Sequence, residues 1–201
     1  MYYQEGLGAI ELAKKLKKSY SQIYKFMKRR NWTRRLASET NKIKFLRTPL
    51  SYAKKGSLTL EEKHLHTAGL MLYWAEGSKV GKFVVDFVNS NSQMTYLFLH
   101  MLKTVYQINP ERIRILLYCY SNHNPSKLVA YWSNLLKVPI TQFTKPYVRH
   151  NFDPNKSHKM PNGLIHIRYA DTRLLSQIMA DIDIIAKELS QDGRAVKYTT
   201  L

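Results

Sequence analysis

The chain has 201 residues, a formal net charge of +18 and a hydrophobic content of 44%. That content supports a real core and excludes a disordered basic tail, and the length allows one ordinary domain plus a small one. An isoelectric point near 9.9 points to a polyanionic partner, nucleic acid first. The charge is uneven: residues 1–55 carry 15 Lys and Arg against 3 Asp and Glu, and the rest carry 17 against 11. A single cysteine, Cys119, lies in the apolar run Ile115–Tyr120, which excludes an internal disulfide and a cysteine zinc cluster. Met1–Gly6 does not read as a signal peptide, and no run reaches membrane-spanning length. The expectation is a soluble, cytoplasmic protein with no membrane partner.

Ala9 to Lys17 reads as a short helix, with Ile10, Ala13 and Leu16 on one side and Lys14, Lys15 and Lys18 outward. A turn, Lys17-Lys18-Ser19, follows. Tyr20 to Arg30 reads as a second helix, with Ser19 as N-cap and Gln22 completing a capping box. Ile23, Phe26 and Met27 form its apolar stripe. The pair resembles a helix-turn-helix in which Ala13 lets the helices cross closely and Lys17 replaces the usual turn glycine. That resemblance implies a second helix lying in the major groove of double-stranded DNA. Tyr20, Ser21, Gln22 and Tyr24 or Lys25 would then face base edges, with Gln22 able to pair bidentately with adenine. Lys28, Arg29 and Arg30 would hold phosphates. An ordinary basic helical hairpin is the other reading of the same pattern. Trp32 is expected to close this small core. Thr33 to Leu46 reads as a third basic helix with Leu36, Ile43 and Leu46 as its apolar places. Residues 1–47 form the first domain on this reading, and 48–57, with Pro49, Gly56 and Ser57, form a linker.

Thr59 can cap the next helix, with Glu61 and Glu62 favoured in its first turn and Gly77 as its stop. So apolar a helix, Tyr73 and Trp74 included, must be buried on most of its surface. Glu76 is its odd residue: either the first solvated group after a core helix, or a metal ligand at the negative end of the helix dipole. Ser78 to Gly81 reads as a tight turn, Phe83 to Asn89 as a strand, and Met94 to Ile108 as a helix with Leu97, Phe98, Met101, Leu102 and Val105 inward. Arg112 to Tyr120 follows as a strand, Ser126 to Val138 as a helix with Leu128, Trp132, Leu135 and Leu136 inward, and Ile140 to Arg149 as extended chain. His150 to Asn162, with His158, reads as a basic loop rather than a histidine metal site. Gly163 to Tyr169 is a strand, Thr172 to Leu189 a helix capped by Asp171, and 191–201 a tail.

The run Gly69-Leu70-Met71-Leu72-Tyr73-Trp74-Ala75-Glu76-Gly77-Ser78 resembles the LAGLIDADG motif of homing endonucleases and their relatives, a helix ending in a small residue, an acid and glycine. Leu70 and Met71 stand where that motif has small residues, and the small pair Ala68-Gly69 comes earlier. The resemblance covers about residues 58 to 187. It implies an α+β domain over 58–190, an αββαββα saddle with helix 126–138 inserted between its third and fourth strands. Lys82, Arg112, Arg114, Lys145, Arg149, His166 and Arg168 would line the saddle. It also implies that Glu76 binds a divalent metal, Mg2+, for hydrolysis of DNA phosphodiester bonds, with Lys79 or Lys145 assisting. One acid per chain implies a homodimer through the motif helix, residues 60–77. The same fold is known in proteins that bind DNA without cutting it, so the alternative is a non-cleaving transcriptional regulator. A third possibility is an RNA-binding splicing helper.

Overall fold

Ser19 accepts a hydrogen bond from the Gln22 N–H at 3.2 Å, and Gln22 Oε1 accepts one from the Ser19 N–H at 3.0 Å. This reciprocal cap starts α2 (Tyr20–Arg29), which follows α1 (Ala9–Lys15) and precedes α3 (Ala37–Arg47). The computed structural model describes residues 1–79, 83–150 and 160–190. It divides into two compact units, Met1–Leu50 and Ser51–Leu201.

In the first unit Lys17 takes φ +51°, the left-handed conformation for which glycine is the usual residue. The Lys18 N–H reaches the Ala13 carbonyl at 2.9 Å and closes the turn. Lys17→Gly should stabilise the helix pair by about 0.5–1 kcal/mol, because relief of the left-handed strain exceeds the added chain entropy. Slower amide hydrogen exchange across α1 and α2 would register the gain.

The core of this unit is Tyr2, Leu12, Ala13, Ile23 and Met27, with Leu7 and Ala9 packed against it. Three expected core positions lie outside. Ile10 is 64% exposed, being about 200° round the helix from Leu12. Leu16 falls beyond the last turn of α1, and Phe26 points outward from α2. Trp32 stacks on Tyr2 at 6.0 Å and meets Phe26 edge-on at 5.6 Å, at the margin of the core rather than within it.

α3 starts four residues later than expected and buries none of its side chains, Leu36 and Leu46 included. Polar contacts tie this stretch down instead. The Arg35 guanidinium lies 4.2 Å from the Tyr2 ring centroid and donates to the carbonyls of Tyr2, Gly6 and Leu7. Arg47 pairs with Glu11 at 2.7 Å and donates to the Glu5 carbonyl at 2.9 Å.

The second unit contains α4 (Leu60–Glu76), β1 (Val85–Asn89), α5 (Ser92–Thr104), β2 (Ile113–Tyr120), α6 (Pro125–Leu136), β3 (Tyr147–Arg149), β4 (Leu164–Tyr169) and α7 (Thr172–Leu189). Side-chain caps start its helices: Thr59 with Glu62 for α4, Asn91 for α5, Asn124 for α6 and Asp171 for α7. The strands form one sheet in the order β1-β4-β2-β3. β4 runs antiparallel to both β1 and β2, and β3 runs parallel to β2. The fold is therefore α+β, the class expected for this domain.

Period-two alternation decides which face is buried. Ile113, Ile115, Leu117 and Cys119 of β2 point inward, and Arg114, Leu116, Tyr118 and Tyr120 point away. The inner face meets α4, α5 and α7. Phe87 stacks on Phe98 at 4.4 Å, and Tyr73 stacks on Phe98 at 5.5 Å. A Cβ on Gly69 would come within 2.6 Å of Met101 Cγ, so glycine lets α4 cross α5 closely. α6 packs on α5 and β2 through Trp132, whose indole N–H donates to the Asn162 carbonyl at 2.7 Å.

Three features differ from the sequence reading. Between α4 and α5 the described residues hold one strand, not a pair. Only Gly77 and Ser78 reach back to β1, by a Gly77–Phe87 bridge and a Ser78 N–H to Asp86 carbonyl bond of 2.8 Å. Of the extended stretch 140–149, only Tyr147–Arg149 forms a strand, after a 3-10 turn at Ile140–Gln142. Ser51 to Lys55, expected as linker, belong to the second unit. Ala53 and Lys55 donate to the carbonyls of Tyr106 and Val105, and Ser51 Oγ donates to Asp171 at 2.6 Å. Short-range signals from Pro49 and Gly56 do not reveal such long-range pairing. The turn residues Val80 and Gly81, most of the His150–Asn162 loop with His158, and the tail 191–201 lie outside the described residues.

Beneath this strap lies a polar cluster. Asp181, 3% exposed, accepts from Lys54 at 2.6 Å, Tyr106 at 2.6 Å and Gln177 at 3.0 Å. His66 Nε2 lies 3.1 Å from the Tyr106 hydroxyl and 3.6 Å from Asp181.

Candidate nucleic-acid interfaces

Each unit carries one basic surface. On the first, α2 buries only Ile23 and Met27. Tyr20, Ser21, Gln22, Lys25, Lys28, Arg29 and Arg30 are all exposed along its outward side, and Tyr20 and Tyr24 stack on each other at 6.4 Å. Gln22 carries a restriction. Its carbonyl oxygen is engaged by the Ser19 N–H, so a bidentate adenine contact would require that cap bond to open.

The second surface is the outward face of the sheet. It is built from Asp86 and Val88 of β1, His166 and Arg168 of β4, Arg114, Leu116, Tyr118 and Tyr120 of β2, and Tyr147 and Arg149 of β3. Asp86 organises its basic groups. His166 Nδ1 lies 3.0 Å from one carboxylate oxygen, and Arg168 Nε donates to the other at 3.0 Å. Burial raises the Asp86 carboxyl, but the hydrogen bond and charge of His166, with the Arg168 guanidinium, outweigh burial and hold it below the usual carboxylate range. Tyr118 lies 4.9 Å from Tyr147 and 4.9 Å from His166, ring to ring.

The expected saddle residues distribute unevenly. Arg114, Arg149, His166 and Arg168 lie on this face. Arg112 sits at the end of the sheet, donating to the Ala170 carbonyl at 2.6 Å with its guanidinium 5.3 Å from the Tyr169 ring. It braces the turn into α7. Lys145 is exposed ahead of the edge strand β3, and Lys82 lies outside the described residues. Asp86, Tyr118 and Tyr147 were not singled out in the sequence. The alternation of β2 and β3 carried the signal for the tyrosines, and an acid within an otherwise apolar strand carried it for Asp86.

Glu76 is the last residue of α4 and is exposed. A Cβ on Gly77 would fall 2.5 Å from the Tyr73 ring, so only glycine allows the chain to turn there. The Tyr73 hydroxyl, pushed up to about 12 by burial, donates to the Ser78 carbonyl at 3.1 Å. These contacts and the Gly77–Phe87 bridge fix the acid at the β1 edge of the sheet. Lys79, three residues on, is exposed. Lys145 belongs to the opposite edge, three strand spacings or about 14 Å across the sheet, so the fold separates it from Glu76. Among the described residues no group of three or more His, Cys, Asp and Glu gathers at one place. On α4, Met71 and Leu72 are partly buried against the core, while Ala75 is exposed and Ala68 half-buried.

No protein-family model, no curated protein and no solved structure matches this chain. Functional argument therefore rests on these surfaces. No helix among the described residues is long and apolar enough to cross a membrane.

Proposed function

We propose that the protein binds double-stranded DNA sequence-specifically and cleaves it as a metal-dependent, homing-type endonuclease, working as a two-fold homodimer in the cytoplasm. The observation that carries DNA binding is α2. A capped helix crosses its partner at a small residue, Ala13, and leaves a whole polar and basic side unpacked, as a helix entering a major groove must. The saddle of the LAGLIDADG-like fold would be the outward sheet face, with Arg114, Arg149 and Arg168 near phosphates.

Cleavage is supported by Glu76, held at the edge of that face with its carboxylate exposed. Magnesium keeps several waters and takes one or two carboxylates, so one acid from each of two chains fits it. Bound there, the ion would supply charge stabilisation at the leaving oxygen and an oriented water. Glu76 would hold the ion, and Lys79, three residues on and exposed, would contact the scissile phosphate. Ala68 and Ala75, small and not fully buried, would let two copies of α4 approach.

One observation favours a non-cleaving regulator on the same fold. Gly69, the small residue within the motif helix, is used up against Met101 of its own chain and not at a partner helix. Digestion of a randomised duplex library with magnesium separates the two readings. Native protein should cut, and Glu76→Gln should cut at least about 100-fold more slowly, as expected when a metal-binding group is lost. Selective binding with no cutting by either protein would establish the regulator.

A further inference from the structure

The outward sheet face holds a stack that runs across all four strands and stops short. In sheet order, Asp86 of β1 bonds His166 of β4, the His166 ring lies on Tyr118 of β2, and Tyr118 lies on Tyr147 of β3. The two ring pairs are tilted by 32° and 41°, each with centroids 4.9 Å apart. The charged end of this column is satisfied, because Asp86 also accepts from Arg168. The other end is open among the described residues: β3 is the edge strand and Tyr147 is 54% exposed. Beside Tyr118 a cleft of about 130 Å³ opens, lined by Tyr118, Cys119, Tyr120, Arg149, Met160 and Leu164.

We propose that Tyr147 stacks an unpaired nucleobase, so that the sheet face takes a single-stranded stretch of nucleic acid. An aromatic column ending in an exposed ring is extended most simply by another flat π-system. The surroundings choose among such systems. Arg149 and Lys145, each two residues from Tyr147 along the chain, are exposed, and the face's acid, Asp86, is engaged at the other end, so the occupant is a flat group on an anionic backbone. Bases within a duplex already cover one another and show only their edges, whereas an unpaired base offers its ring face. The inference rests on reading this face as a nucleic-acid surface, but needs neither cleavage nor the grip of α2.

The test uses the full chain and two probes. One is an intact duplex. The other is the same duplex with a short internal bubble containing 2-aminopurine, whose fluorescence falls when it stacks. Native protein should bind the bubble at least about 10-fold more tightly than the duplex and quench the probe. Tyr147→Ala should lose about 5- to 100-fold on the bubble, the range for one base–aromatic stack, and much less on the duplex, whose paired bases offer no ring face. Tyr147→Phe should behave as native. Equal binding of bubble and duplex by the native protein would overturn the proposal, as would unchanged quenching by Tyr147→Ala or an equal loss on both probes. Failure of duplex binding alone, with a Tyr147-dependent bubble signal intact, would reject the duplex reading above and leave this inference standing.

Discussion

Replacing Asp181 by alanine should lower the unfolding free energy of the second unit by about 3–5 kcal/mol, the usual cost of removing one partner from a buried, charged, hydrogen-bonded cluster. Three donors would lose their acceptor at once: Lys54, Tyr106 and Gln177. Tyr106 is wholly buried, so no water replaces the lost acceptor and its hydroxyl bears the full desolvation penalty. The strap 51–55 would loosen too, since Lys54 is one of its anchors. Urea unfolding followed by the fluorescence of Trp74 and Trp132 measures the loss. Acid sensitivity should carry the same signature. Burial raises the Asp181 carboxyl, but His66 at 3.6 Å and the hydrogen bonds from Lys54 and Tyr106 more than reverse this and hold it far below the usual range. A depressed folded-state pKa stabilises above the unfolded value, near 3.9, and that stability drains away as pH falls toward the folded value. Native protein should therefore lose stability progressively below about pH 4, and Asp181→Asn should show a flatter acid limb from a lower starting point. An Asp181→Ala protein within 1 kcal/mol of native would show that the cluster is incidental.

The combined substitution Lys25→Ala, Lys28→Ala and Arg29→Ala should weaken duplex binding by about 100-fold at 0.15 M salt. The estimate follows from counterion release. Each lost phosphate contact lowers the slope of log affinity against log salt by about 0.9, so three lower it by about 2.7. All three residues are exposed on α2, away from Ile23 and Met27, so the helix pair should keep its fold. Titrations at several salt concentrations separate this from a change in base reading, which would shift affinity without changing the slope. An unchanged slope would remove α2 from the interface. The remaining charge would then have to act through the sheet face, where Arg168 is already paired to Asp86.

Much of the local organisation was legible because it depends on neighbours in sequence. Ser19 with Gln22, Thr59 with Glu62, and Asp171 all start helices where their hydrogen-bonding chemistry puts them. The alternation in β2 told inside from outside, so Arg114 emerged correctly on the open face. Gly77 as the stop of α4 was equally plain, and with it the exposure of Glu76. What misled was apolar periodicity in short helices. α1 has seven residues, and in so few turns Ile10 and Leu16 look as good as Leu12. In α3 the leucines stay outside because Arg35 and Arg47 make the attachments through charge and backbone carbonyls.

The sequence by itself therefore determined most of the helix segments, the basic helix pair at the start, the cap-to-glycine extent of α4 and the exposed acid at its end. Each depends on dihedral preference, capping or spacing within a few residues. Only the tertiary structure decided the sheet order β1-β4-β2-β3, because pairing between strands 29 to 84 residues apart leaves no local mark. That order places Asp86, His166, Tyr118 and Tyr147 in one column, and it sends Lys145 to the edge opposite Glu76. It also turns Gly69 toward Met101 and joins Lys54 to Asp181 across 127 residues, contacts that burial and chain reversal create.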